Sequence, residues 1–457
     1  MRFNPKAFKG KKACVIGMGK SGLACAKLLA KKGFQVFASD SKPRAALKAS
    51  LGRLPGAISW EAGGHSDRLL KCAFAVKSPG LPHVLPILQK LKSAGIPIFS
   101  ELEVALSFCK AKEIIAITGT NGKTTTTALV AQIFKEAGPR RSRAHVCGNI
   151  GFPISEAAPR ALPKDSLIIE VSSYQLEDSR YFHPQSAALL NITADHIDHH
   201  GSMAHYIEAK ARLFRHQNKS DACVFNAGDP LALKLSRRCP AQKLFFGPLG
   251  QGPVNAWHQK GRIHVRGFAG KLQTFDPPHL PGEHNLENAM AAVLLALSRG
   301  LKAQAVQNGL RAFKGVEHRL EEIGTIRGMR CINDSKATNV DSTLVALKAL
   351  NRAQASILLI LGGLHKGGSY SPLKPLIASC VKSILTIGSS AGKIENDLSG
   401  IVPIFPCGDL QTAVETAFKI GAQGDTLLLS PACASFDQFQ NFEQRGRRFK
   451  ALVGTSK

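Results

Sequence analysis

The chain has 457 residues, and one domain per ~150 residues gives about three domains. Its 44% hydrophobic and 20% charged content is that of an ordinary globular protein, which excludes a mainly disordered chain, a collagen and a coiled coil. Sixty Lys and Arg against 32 Asp and Glu leave a net charge of +28. That excess favours anionic partners but is spread along the chain, with brief clusters such as Arg140–Arg143 and Arg445–Lys450. No long basic run marks a nucleic-acid tail.

The longest apolar runs, such as Ile357–Leu361 and Val293–Leu297, fall far short of the ~20 residues that span a bilayer. No membrane insertion is therefore expected, and the first twenty residues lack the apolar stretch of a signal peptide. The eleven cysteines contain no CxxC pair. Reduced thiols and a cytoplasmic location are the expectation.

In chain order, Ala13–Ile16, Gln35–Ala38, Ala73–Val76 and Ile96–Phe99 read as strands, with helices Ser21–Lys31 and Pro86–Ala94 between them. Ile114–Thr118, Leu167–Val171, Ala187–Ile192 and Ala222–Asn226 continue the strands. The segment Gln242–Pro281, rich in Gly and Pro, reads as a small antiparallel insertion or the edge of the middle sheet, followed by helix Asn285–Ser298. Ser356–Leu361, Ser383–Ile387 and Thr426–Ser430 are the last strand candidates. Strands alternating with helices predict an α/β fold of parallel sheets covered on both faces.

Two glycine loops carry most of the chemistry. Gly17-Met18-Gly19-Lys20-Ser21-Gly22 follows a strand and opens a helix. Such a loop brings backbone N–H groups and a helix N-terminus against a diphosphate, and Asp40, at the end of the next strand, is placed to meet a ribose. Taken alone it suits a dinucleotide and an NAD-dependent oxidoreductase. The second loop, Gly119-Thr120-Asn121-Gly122-Lys123-Thr124-Thr125, is a shortened phosphate loop in which Ile117 stands where the first glycine of GxxxxGK[ST] would be. Its N–H groups hold phosphates, Lys123 reaches the β/γ-phosphates and Thr124 takes Mg²⁺. Two such cradles suggest ATP in one and a nucleotide-linked substrate in the other. The dense polar turn Asp195, His196, Asp198, His199, His200 has no strong zinc spacing.

The stretch GTNGKTTT resembles the ATP loop of the Mur ligases and folylpolyglutamate synthetases. GNIG at Gly148–Gly151, EVSSYQLE at Glu170–Glu177, NITADHIDHH at Asn191–His200, HNLEN at His284–Asn288, EHRLE at Glu317–Glu321, NDSKATN at Asn333–Asn339 and SPACASFDQFQNFEQRG at Ser430–Gly446 extend the resemblance over nearly the whole chain, to the D-glutamate-adding branch of the Mur ligases. The resemblance implies three domains. These are a Rossmann-like domain at 1–101 for the UDP substrate, a central P-loop ATPase-like domain at 102–315, and a C-terminal Rossmann-like domain at 316–457 for the amino acid and for closure over ATP.

It also implies roles. Gly119, Thr120, Asn121, Gly122, Lys123, Thr124, Thr125, Asn285, Asn288, Arg319 and Asp334 would bind ATP. Lys20, Ser21, Asp40, Ser41, Ser78, Gly80 and Asn149 would bind UDP-N-acetylmuramoyl-L-alanine. Lys336, Thr338, Lys366, Ser435 and Phe442 would bind D-glutamate. Thr124, Glu170, His196 and Lys210 would hold two Mg²⁺ ions, Lys210 as a carbamate, and Lys123, Glu170, His196 and Lys210 form the catalytic set. The family commonly has Asp where His365 stands, and often Thr where Ser41 stands. The expected reaction is ATP-dependent amide formation through an acyl phosphate, by a monomer that binds no nucleic acid. A related ligase with another acceptor, of Mur or folylpolyglutamate type, is the nearest alternative. The oxidoreductase leaves the second loop and the C-terminal motifs unexplained.

Overall fold

The computed structural model describes residues 3–455 except 53, 139–142, 251, 269, 281, 352–355 and 366. Its strands form three sheets, and the chain divides into two compact units: residues 1–278 with 286–313, and residues 279–285 with 314–457.

The first sheet contains β1 Lys12–Ile16, β2 Gln35–Asp40, β3 Ser59–Ala62, β4 Phe74–Lys77 and β5 Ile98–Ser100. All pair in parallel, in the order β3-β2-β1-β4-β5. The connection changes direction at β1, so a crevice opens above β1 and β4, where open α/β sheets bind ligands. The first glycine loop leaves β1 at this point and Ser78 leaves β4.

The second sheet shares the unit. Its strands are β6 Glu113–Thr118, β7 Ala144–Gly148, β8 Ser166–Glu170, β9 Ser186–Leu189, β10 Ala222–Asn226, β11 Gln242–Phe246, β12 Ala256–Gln259, β13 Arg262–Val265 and β14 Gln273–Phe275. Their order is β14-β13-β12-β11-β10-β9-β6-β8-β7. β12, β13 and β14 pair antiparallel at one edge, which resolves the expected insertion as the sheet's rim. β6 is flanked by β8 and β9, so the second glycine loop also rises at a change of direction. Buried links tie this sheet to the first: Lys77 Nζ lies 2.7 Å from Asp178 Oδ2, and Glu101 Oε1 accepts from Ser155 N at 2.9 Å.

The second unit carries β15 Glu321–Ile326, β16 Met329–Asn333, β17 Ile357–Gly362, β18 Val381–Ile387, β19 Ile404–Gly408 and β20 Thr426–Leu429, ordered β15-β16-β20-β17-β18-β19. β15 and β16 pair antiparallel, and the remaining pairings are parallel. Ile332, Leu359, Leu361, Ile384 and Leu428 fill one face of this sheet, and Leu358, Ile360, Leu385, Leu427 and Leu429 the other. Near-continuous apolar strands are what burial on both faces requires. Among the described residues no helix is long and apolar enough to cross a membrane, and the eleven cysteines are free.

Candidate active site

The second loop is built around Asn191, just beyond β9. Its Oδ1 accepts from the backbone N–H of Thr120 at 3.0 Å and of Asn121 at 2.8 Å, and its Nδ2 donates to Asn121 O at 3.2 Å. Gly122 caps helix Lys123–Glu136 with φ +82°. A Cβ there would stand 2.3 Å from Asn288 Oδ1, so both backbone handedness and space require glycine. Thr126 Oγ1 donates to the same Asn288 oxygen at 3.2 Å. Asn288 thus buttresses the loop from below, while Asn285 falls in the other unit.

Two lysines meet at one carbonyl. Lys123 Nζ donates to Gly119 O at 3.0 Å and Thr120 O at 2.8 Å. Lys210 Nζ donates to Gly119 O at 2.8 Å and is 1% exposed. Lys210 lies one turn beyond Tyr206 on helix Met203–Ala211, with its Nζ 4.6 Å from that ring. The Tyr206 hydroxyl is 3.0 Å from Thr120 Oγ1. Burial pushes the Lys210 amine far below the usual lysine range, and the charge of Lys123 pushes it further. A neutral amine in this place is the form that adds CO₂.

Glu170 ends β8 beside Ile117 of β6 and is 1% exposed. Its Oε1 accepts from Asn149 Nδ2 at 2.7 Å. Its Oε2 is buried with no hydrogen-bond partner, and a carboxylate oxygen so placed asks for a cation. An oxygen donor on a strand end next to a Lys-Thr loop suits Mg²⁺, a hard ion. Asn149 therefore positions Glu170, and its own N–H bonds to Glu170 O at 2.9 Å.

His196 opens the next short helix with φ +55°. Its Nδ1 is 3.0 Å from the Tyr174 hydroxyl, and its Nε2 is 3.5 Å from Asp195 Oδ2. Burial, then the charges of Asp198, Asp195 and Glu177, push Tyr174 up to about 12, so it stays a phenol that can donate. His199 and His200 turn away from this group toward Glu177.

At the first loop, Gly17 has φ +92°, and a Cβ on Gly22 would lie 1.9 Å from Gly17 O and 2.4 Å from Ser78 Oγ. Ser78 Oγ donates to Gly17 O at 2.9 Å, and Asp40 accepts from Met18 N at 2.6 Å and Lys42 N at 2.9 Å. Asp40 and Ser78 thus brace the cradle from inside. Ser41 is exposed and Ser21 half-buried at its mouth. Gly80, with φ +83°, has open space above it. Lys20 Nζ reaches Gly151 O at 2.9 Å, joining this loop to the GNIG turn.

In the second unit a small pocket is lined by His284, Arg319, Asp334, Lys336 and Ser342 among others. Asp334 follows β16. It accepts from Ser430 Oγ at 2.8 Å and Leu320 N at 3.1 Å. Burial raises its carboxyl to about 7 against the lowering pull of Ser430 and Arg319. Burial, then Arg319, holds His284 down to about 4. Lys336 Nζ sits 5.6 Å from the Phe442 ring centroid. Thr338 bonds through its N–H to Lys336 O at 2.9 Å, and Ser435 O accepts from Phe439 N at 2.8 Å. Lys366 lies outside the described residues. The preceding His365 places Nδ1 3.0 Å from the Tyr370 hydroxyl.

Sequence reasoning assigned no role to Asn191, Tyr206 or Arg445. Arg445 is 1% exposed and clamps two motif loops. Its Nε donates to Ser335 Oγ at 3.0 Å, and its Nη2 donates to Ser335 O at 2.9 Å and Cys433 O at 3.1 Å.

Two glycine loops, each between a strand and a helix at a sheet switch point, and an enclosed carboxylate beside one of them are the parts expected of a nucleotide-dependent enzyme. Family models agree: the Mur ligase MurD-like N-terminal domain matches residues 11–100, the Mur ligase middle domain 117–296, and the Mur ligase glutamate ligase domain 318–433. The chain belongs to the Mur ligase family. It is 46% identical to the UDP-N-acetylmuramoylalanine--D-glutamate ligase of Elusimicrobium minutum over 98% of this chain and 99% of that protein. It is 41% identical to the enzyme of the same name from Anaeromyxobacter dehalogenans over 97% and 98%. Among solved structures, the UDP-N-acetylmuramate-alanine ligase MurC of Thermotoga maritima shares the fold with a TM-score of 0.62 at 20% identity, covering 98% of this chain and 100% of that one. MurF ligase from the same organism, in complex with ADP, does so with a TM-score of 0.61 at 16% identity, covering 99% and 97%.

Proposed function

We propose that the chain adds D-glutamate to UDP-N-acetylmuramoyl-L-alanine at the expense of ATP, in peptidoglycan precursor synthesis. Full-length identity of 46% to a ligase so named carries the reading, and the paired cradles give it a physical basis. In this reading the protein works as a cytoplasmic monomer, without nucleic acid, and the first cradle holds the UDP diphosphate. The second holds the ATP phosphates.

The reaction brings an L-alanine carboxylate against a triphosphate, two anions that repel. The N–H groups of residues 119–122, the dipole of helix Lys123–Glu136 and Lys123 offset that repulsion, most of all where charge grows on the transferring phosphoryl group. Lys123 exchanges its loop carbonyls for phosphate oxygens. Thr124, Glu170, His196 and Lys210 would hold Mg²⁺, two ions in all, and Mg²⁺ when bound draws charge from the phosphates. Lys210 serves as a carbamate, which turns a neutral amine next to Lys123 into an anionic oxygen donor. Tyr174 fixes the ring of His196. In the second unit, Arg319 and Asp334 meet ATP, and Lys336, Thr338, Lys366, Ser435 and Phe442 receive D-glutamate. The L-alanine carboxylate attacks the γ-phosphorus of ATP and expels ADP, which leaves an acyl phosphate; the D-glutamate amine then attacks the carbonyl carbon, phosphate leaves, the nitrogen gives up a proton to solvent, and an amide remains.

The test is phosphate release by purified protein with ATP and Mg²⁺. Release should require both the UDP-sugar and D-glutamate, and L-glutamate, glycine and L-lysine should fail. Turnover with D-glutamate omitted, or with another amino acid preferred, refutes the reading. Lys210→Ala should lose at least about 10²-fold in kcat and regain part of it with added short carboxylic acids. Full activity in that variant refutes the carbamate.

A further inference from the structure

In the sequence Lys366 stands between His365 and the pair Gly367-Gly368. Both glycines have positive φ, +90° and +84°, with open space where a side chain would stand, so they hold nothing in place themselves. The loop after β17 is tied to the loop after β20 by backbone bonds from Gly362 N to Pro431 O at 2.9 Å and from Leu364 N to Ala434 O at 2.8 Å. Beyond Leu364, side chains take over among the described residues. His365 Nδ1 is 3.0 Å from the Tyr370 hydroxyl, with the ring centroids 5.6 Å apart. That phenol is buried and lies 2.9 Å from Cys433 Sγ. Ser390 Oγ stands 3.3 Å from the same sulfur, and Cys433 and Ser390 are buried too. Tyr370 N donates to Asp397 Oδ2 at 2.8 Å. Helix Ala391–Leu398 therefore holds Tyr370 from both ends, through Asp397 directly and through Ser390 and Cys433.

The order of protons along this chain of side chains follows from acidity. Burial, then the thiol of Cys433, pushes Tyr370 above the usual phenol range, and burial raises the Cys433 thiol, so both keep their protons. The phenol is the strongest donor of the four groups and the imidazole nitrogen the strongest acceptor, while the thiol is weak as either. Tyr370 therefore donates to His365 Nδ1, Cys433 to the phenol oxygen and Ser390 to the sulfur. Each buried hydrogen then has an acceptor, and His365 is held as the Nε2–H tautomer.

We propose, resting on the D-glutamate reading of Lys366 and Ser435, that Tyr370 and His365 are positioning residues for that amino acid. They clasp the loop bearing Lys366 at residues 365 and 370 and tie it, through Cys433, to the loop bearing Ser435. Neither side chain has to touch the amino acid. With two open glycines on one side of Lys366, the clasp on the other side is what limits where its backbone lies, so the ordering is done before the ligand arrives.

The test is steady-state kinetics on the full chain, with each substrate varied in turn and folding checked by thermal unfolding. Tyr370→Phe removes one oxygen from an unchanged ring and should raise KM for D-glutamate by about 3–10-fold, the contribution of one hydrogen bond. The kcat and the KM values for ATP and the UDP-sugar should stay within about twofold of wild type, the pattern of a loss confined to one substrate's binding. His365→Ala should show the same split, and His365→Asn, which keeps an acceptor near the Nδ1 position, should recover most of the loss. The double variant Tyr370→Phe with His365→Ala should be no worse than the poorer single, because the second change removes a bond already lost. D-glutamate KM unchanged in both folded single variants, equal rises for all three substrates, or additive losses in the double variant overturn the clasp alone. Wild type that is saturated by another amino acid and not by D-glutamate overturns the substrate reading and the clasp together.

Discussion

Replacing Arg445 tests how the second unit holds its two motif loops together. The guanidinium makes three hydrogen bonds of 2.9–3.1 Å, to Ser335 Oγ, Ser335 O and Cys433 O, and a longer one of 3.4 Å to Ala434 O. A charged donor's hydrogen bond is worth about 1.5–3 kcal/mol, and a buried carbonyl left without a donor costs about 1–3 kcal/mol. These terms overlap, so Arg445→Ala should destabilise by about 3–5 kcal/mol, the range for breaking a buried charged network. Arg445→Lys keeps the charge but lacks the fork, so it should recover less than half. Arg445→Met fills the space of the stem and should recover little if hydrogen bonds dominate. Urea unfolding followed by circular dichroism measures all three, with D-glutamate KM as a second readout. A midpoint for Arg445→Ala within about 1 kcal/mol of wild type at equal slope would refute the clamp. Full rescue by methionine would show that packing, not hydrogen bonding, carries it.

Two further outcomes follow from the cradles and the pocket. Gly22→Ala places a Cβ 1.9 Å from Gly17 O. It should cost about 1–3 kcal/mol by overpacking and raise KM for the UDP-sugar well above any change for ATP, measured by thermal unfolding and steady-state kinetics. Asp334, buried and raised to about 7, holds its proton in the native state across pH 4–7 while the unfolded carboxyl, near 3.9, has lost it. Stability should therefore fall as pH rises from about 4 to about 7, by at most about 4 kcal/mol. Asp334→Asn should flatten that slope and be more stable than wild type at pH 8, yet bind ATP less well. An unchanged slope in the variant would place the titration elsewhere.

The parts of this molecule legible in sequence are those whose physics is local. A glycine loop between strand and helix declares itself because the tight turn, the N–H groups and the helix dipole lie within a few residues. The apolar runs of β10, β17 and β18 are equally plain, since strands buried on both faces have no polar alternation to confuse them. β7, β15 and β19 escaped notice because they are rim strands, mostly half-buried or exposed. The site is a different case. Glu170, His196 and Lys210 have no local signature and were placed by resemblance to a family. The structure supplies a physical reason for two of them, an unmatched carboxylate oxygen and an amine crowded by Lys123.

Arg445 shows how a signal can be present and still be misread. It belongs to a basic cluster that looks like a solvated face, and Arg447 and Arg448 are indeed exposed. Yet Arg445, Phe449 and Val453 recur at four-residue spacing on helix Phe442–Thr455, and all three are buried, at 1%, 0% and 0% exposure. Helical phase set the arginine on the core face, where a charge survives only with several carbonyls to meet it. Those carbonyls come from the loops after β16 and β20, more than a hundred residues and about ten residues away along the chain. A charge on the apolar phase of a helix therefore marks a convergence of distant loops before any contact is seen. The same reasoning applies to His200, a core histidine whose partners, Glu177 and Ser173, come from another helix.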